Sequence, residues 1–226
     1  MKRTFVYGDS FSNAGACKCA PEWMWYTPFA TDQITDRTRP GNSVDESFIK
    51  IGLDALTHTE PARFIFGVGE MYGRVTTYTD GINHDESVLA HHDMEACLEH
   101  FDTYRAAEMN YHEVPQFHNT LLWSRFFLSL VTTNQLLTQR GHEFMVVHMT
   151  GNLDEYNPEH PMIRCILPEV HKVPHYMPIT ETCHRVCKEA NIKAWDFDRF
   201  GWFGHVGFIG QQRWSRHLQD KGMAWN

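Results

Sequence analysis

The chain has 226 residues, enough for one sizeable hydrophobic core, and no linker, charge block or repeat divides it, so residues 1–226 read as a single domain. Its formal net charge is −8 with histidine neutral, and its 20 lysines and arginines are scattered, which argues against a nucleic-acid partner near neutral pH. No apolar run has the length of a membrane span, and the stretch after Lys2 and Arg3 is too short for a signal peptide, so no membrane association is expected.

The first expected element is a strand, Thr4-Phe5-Val6-Tyr7, running directly into Gly8-Asp9-Ser10. A sharp turn there can expose a serine hydroxyl at the carboxyl end of a strand, where open α/β sheets place their ligands; the same turn also suits an ordinary capping serine. Residues 23–35 are aromatic and mostly compatible with a helix despite Pro28, and residues 37–43 read as a loop or short strand. From Val44 the pattern Val44, Phe48, Ile51, Leu53, Ala55 and Leu56 marks an amphipathic helix, with Ser43 as its cap and Glu46 three residues on. Residues 63–69 form the next expected strand, ending in glycines.

Residues 75–112 are a polar insertion with a helix expected over 88–100. Its His84, Asp85, His91, His92 and Asp93 are metal-ligand types, but the expected reading is a solvated insertion. Residues 121–137 read as a buried helix and 143–149 as a buried strand in which His148 is a core residue. A loop over 151–178, with five prolines, precedes a helix over 180–190 and a strand over 192–197. Five strands separated by helices imply an α/β fold, a three-layer α/β/α sandwich around a parallel sheet. The six cysteines, Cys17, Cys19, Cys97, Cys165, Cys183 and Cys187, lack metal-ligand spacing and are expected to be reduced thiols, with no metal or other cofactor.

Near the end of the chain stands His205, with Gly210 five residues on, Trp214 nine on and Leu218 beyond. Together with Ser10 and the segment Arg39-Pro40-Gly41-Asn42-Ser43, this makes the chain resemble the SGNH, or GDSL-like, hydrolases. The resemblance implies a flavodoxin-like sandwich and hydrolysis of an ester through a Ser10–His205 pair, with the backbone N–H groups of Ser10 and Gly41 as oxyanion donors. The substrate class it suggests is a small-molecule or carbohydrate ester.

Two family features are missing. The expected asparagine after the 63–69 strand is replaced by Gly67-Val68-Gly69-Glu70, with Arg74 as a conceivable substitute, and the aspartate three residues before the histidine is replaced by Trp202. Asp198, Asp196 or a backbone carbonyl is left to orient His205. Trp23, Trp25 and Tyr26 suit either sugar stacking or the core. A leaderless chain with degenerate blocks also resembles phage-encoded proteins, cytoplasmic where made and then virion-associated, which implies a carbohydrate-modifying or particle-associated role; the missing asparagine and Trp202 leave open a catalytically silent glycan-binding or assembly module.

Overall fold

The computed structural model describes residues 2–40, 42–69, 74–78, 85–89, 115–150, 157–195 and 204–225. Five strands, β1 (Arg3–Gly8), β2 (Ile34–Asp36), β3 (Ala62–Val68), β6 (Glu143–His148) and β7 (His175–Tyr176), form one sheet in the order β2-β1-β3-β6-β7. Every pairing in it is parallel. A separate antiparallel pair, β4 (Arg74–Tyr78) and β5 (Asp85–Leu89), lies in the insertion. The helix expected over 88–100 therefore does not begin at Val88, which pairs with Val75.

Strand residues alternate between the two faces of a sheet. Phe5, Tyr7, Phe64, Phe66, Phe144 and Val146 point to one side. There they meet α1 (Val44–Thr57) and α2 (Pro115–Gln139) through Phe48, Ile51, Trp123, Phe126, Phe127 and Leu130. Val6, Ile65, Met145 and Val147 point to the other side. They are covered by α5 (Cys183–Glu189), α6 (Phe208–Asp220) and the irregular segment around Met24, Trp25 and Tyr26. Two one-turn helices, α3 (Pro161–Arg164) and α4 (Leu167–Val170), pack their Ile163 and Val170 into the first face. The layers are those expected, and α1 starts at Ser43, whose hydroxyl accepts from the Glu46 N–H at 3.1 Å.

Three elements differ from expectation. Residues 23–35 form no long helix, because Pro21 and Pro28 each open a separate 3₁₀ turn, Pro21–Trp23 and Thr27–Phe29, and a proline inside a longer helix would remove a donor. The second strand is Ile34–Asp36, just before the segment expected to be a loop or strand. The fifth strand is His175–Tyr176, inside the proline-rich loop, while residues 192–194 form none. The Ile192 N–H is taken by the Cys187 carbonyl at 2.8 Å as α5 ends on Asn191, whose φ of 55° is left-handed. A two-residue strand cannot display a period of two, so sequence periodicity had nothing to detect at 175–176.

Candidate active site

β1 is followed in the chain by β2 on one side and by β3 on the other, so the strand order reverses between β1 and β3. Ligand crevices of open α/β sheets lie outside the carboxyl ends of the strands at such a reversal. The turn carrying Ser10 occupies this position. Gly8 leaves β1 with φ of +150°, and a Cβ there would stand 2.7 Å from the Gly67 carbonyl oxygen and 2.8 Å from the Ser12 Cβ. Asp9 then caps a 3₁₀ turn, Ser10–Ser12, its carboxylate accepting from the Phe11 N–H at 3.0 Å. Gly69, just past β3, is needed for the same reason, since a side chain there would collide with the Asp9 carboxylate.

Ser10 is 7% exposed, and among the described residues neither its hydroxyl nor its N–H makes a hydrogen bond, His205 included. Hydrogen bonds of a catalytic pair are often long in ligand-free sites and tighten with substrate. An N–H without an acceptor at the head of a turn is available to a developing oxyanion.

His205 reaches this turn from the far end of the chain. Its imidazole packs against the Phe11 ring at 4.9 Å between centroids, with the planes 26° apart. The indole of Trp195 lies 5.7 Å from the same imidazole at 21°. The Trp195 N–H donates to the His205 carbonyl at 3.0 Å, and Lys18 Nζ lies 3.7 Å from the centre of the Trp195 ring. His184 meets Phe11 edge-on at 5.1 Å.

Gln211, fully buried on α6, joins these segments. Its Nε2 lies within hydrogen-bonding distance of the Phe11 carbonyl (3.4 Å), Cys17 Sγ (3.3 Å) and the Val206 carbonyl (3.2 Å), and its Oε1 accepts from the Trp25 N–H at 3.2 Å. Cys17 in turn donates toward the Ser10 and Phe11 carbonyls at 3.4 and 3.3 Å. One amide side chain thereby fixes the backbone of the serine turn to that of the histidine loop.

Thr38 and Arg39 are held at the same strand end. The Arg39 N–H donates to the Gly8 carbonyl at 3.1 Å, and Asn13 Nδ2 donates to Thr38 Oγ1 at 3.1 Å. Asn42 is buried beside Glu46, and the only orientation of its amide that sets a donor against the carboxylate has Nδ2 2.6 and 2.7 Å from the two oxygens. Lys50 forms an ion pair with the same carboxylate.

The overall arrangement can be set beside known structures. The fold matches "Crystal Structure of TesA" with a TM-score of 0.50 and 9% identity over 97% of each chain. The chain has the SGNH-hydrolase fold. Other similar structures are a member of the lipolytic protein G-D-S-L family from Veillonella parvula (TM-score 0.47, 12% identity, 97% of each chain) and the psychrotrophic esterase EstA from Pseudoalteromonas sp. (0.48, 10%, 97% of this chain and 96% of that one). Neither a protein-family model nor a curated protein sequence matches the chain.

Within this SGNH fold, Ser10 and His205 are brought to one end of the sheet through Phe11. Gly41, Asp196, Asp198 and Trp202 lie outside the described residues, as do Glu70, His84 and the segment from His91 to Asp93. The described cysteines are free thiols. Burial, then the hydrogen bond that its own S–H makes to Cys187, push the Cys183 thiol well above the usual range, which makes it a packing group rather than a nucleophile. Trp25 and Tyr26 are buried in the core, whereas Trp23 is 46% exposed and meets Phe208 edge-on at 5.0 Å.

His148 is fully buried, pairs with the Tyr176 hydroxyl at 3.1 Å, and burial pushes its pKa down to about 3. It is a core residue, as expected. Sequence reasoning assigned no role to Gln211, Trp195 or Lys18. Gln211 carried a usable signal, since it shares the buried stripe of α6 with Trp214, Ser215 and Leu218. Trp195 and Lys18 carried none.

Proposed function

We propose that the protein is a serine esterase of the SGNH type. The observation that supports this reading is the packing of His205 against Phe11, the residue directly after Ser10, at the sheet's reversal point. In the forward step the Ser10 O–H bond breaks as a ring nitrogen of His205 takes the proton, and Oγ forms a bond to the ester carbonyl carbon. The carbonyl π pair moves onto oxygen, where the Ser10 and Gly41 N–H groups receive it. Collapse expels the alkoxide, which takes the proton from His205; water then repeats the sequence on the acyl-enzyme and releases the acid.

Asp198 is the carboxylate assigned to the imidazole in this reading. The substrate class that fits is a short acyl ester, with an O-acyl carbohydrate favoured by the exposed Trp23 edge beside Phe208 at the start of α6.

The test is hydrolysis of short-chain p-nitrophenyl esters with parallel fluorophosphonate labelling. Ser10→Ala is expected to abolish labelling and to lower kcat by roughly three orders of magnitude or more, and His205→Ala by roughly two or more. A folded wild-type protein that neither turns over nor labels would reassign the fold to glycan binding or assembly.

A further inference from the structure

A general base works only while its ring is held in the plane that aims a nitrogen at the nucleophile. A misplacement of about 1 Å can cost roughly 100-fold in rate. A carboxylate bonded to the other nitrogen is one way to hold that plane. The structure displays a second, made of rings.

We propose that Trp195 is a positioning residue for His205, holding the imidazole by stacking and by a backbone bond; the inference rests on the hydrolase reading. Trp195 fixes residue 205 at two points. Its N–H binds the His205 carbonyl at 3.0 Å, which sets the backbone, and its indole lies nearly parallel to the imidazole at 5.7 Å, which resists tipping of the ring. Phe11 supplies the second near-parallel ring at 4.9 Å, from the residue directly after Ser10. The nucleophile turn and the base are therefore referenced to one another through flat faces.

The indole is itself held. Lys18 lies over it, and Lys18 sits in a tight turn with φ of 48°, fixed by bonds from Cys17 N–H to Asn13 O (3.0 Å), Lys18 N–H to Gly15 O (3.2 Å) and Cys19 N–H to Ala14 O (3.0 Å). A left-handed conformation is uncommon for a residue other than glycine, and here it places the ammonium on the ring. Because Lys18 already draws on the indole's electron-rich face, orientation of His205 outweighs any stabilisation of an imidazolium by that ring. Residues 11 and 18 follow β1 and residues 195 and 205 lie in the chain between α5 and α6, so the four groups interleave the two segments that the reaction must keep in register.

Trp195 is 42% exposed, so replacing it leaves the core intact, and thermal melting verifies folding. Trp195→Leu is expected to lower kcat for p-nitrophenyl acetate by about 10- to 100-fold with KM changed less than about twofold, and Trp195→Phe to recover most of the loss. In proton NMR the His205 ring signals, assigned by comparison with His205→Asn, should lose part of their ring-current displacement in Trp195→Leu and retain more of it in Trp195→Phe. Ring signals that move while kcat stays unchanged would overturn the inference alone, as would a kcat loss that phenylalanine does not restore. Ring signals that do not move at all would overturn it too. A wild-type protein without turnover or labelling would overturn the hydrolase reading, and the inference with it.

Discussion

The two faces of the sheet are covered in different ways. On one, α1 and α2 lay phenylalanines, a tryptophan and leucines over Phe5, Phe64, Phe66 and Phe144. On the other, the cover includes 3₁₀ turns, two helices, three buried thiols and a buried glutamine whose amide touches four residues. The first face is held by area removed from water, which is insensitive to direction. The second also depends on directional bonds, and Phe11 and His205 meet on that side. A face that must present a particular geometry is built from contacts that define angles; a face that only needs to stay closed is built from bulk.

The largest expected effect tests the bulk side. Phe64 is fully buried and stacks on Phe5 at 5.0 Å, so Phe64→Ala should cost about 3–5 kcal/mol in urea unfolding. Esterase activity per folded molecule should be unchanged; a parallel loss of activity would mean that the two faces are not separable.

Gln211→Ala tests the directional side. It strips partners from the Phe11 and Val206 carbonyls and from the Trp25 N–H, and should cost about 2 kcal/mol. Unlike Phe64→Ala, it should also lower kcat about tenfold, because the serine turn and histidine loop lose their shared anchor. Equal kcat in the two variants would break the comparison.

The smallest effect concerns the one histidine of β6 that points into the aromatic face. Unfolded, His148 titrates near 6.5; folded, burial holds it near 3. Above about pH 6.5 both states are neutral and the residue contributes no pH dependence. Below that, the unfolded chain binds a proton that the folded chain refuses, so stability falls with pH by at most about 1.4 kcal/mol per unit until about pH 3. Denaturant midpoints at pH 7, 6 and 5 should fall less steeply in His148→Phe than in wild type. Parallel slopes would show that the ring is not kept neutral.

What sequence reasoning could read follows the same division. β1, β3, β6, α1 and α2 were legible, because alternation, apolar stripes and the Ser43 cap act locally. The order of the serine and histidine blocks along the chain also pointed to one end of the sheet, where His205 packs on Phe11. The 3₁₀ turns around Trp23 and Phe29 were misread as one helix, and β7 was missed, because prolines and a two-residue pairing leave no period. The partnership of Trp195 with His205 was invisible for another reason: stacking depends on how two irregular segments approach, and neither carries a repeating signal.

Gln211 bonds to Phe11 across 200 positions of sequence and to Trp25 across 186, and Trp225 bonds to the Phe29 carbonyl across 196. Contacts this remote are closed at a high entropic cost and form slowly. During synthesis, β1 and its serine turn leave the ribosome long before α6 does. The nascent chain therefore carries the serine turn before the histidine segment that packs on it, and the two come into register only when α6 docks, as a single late event.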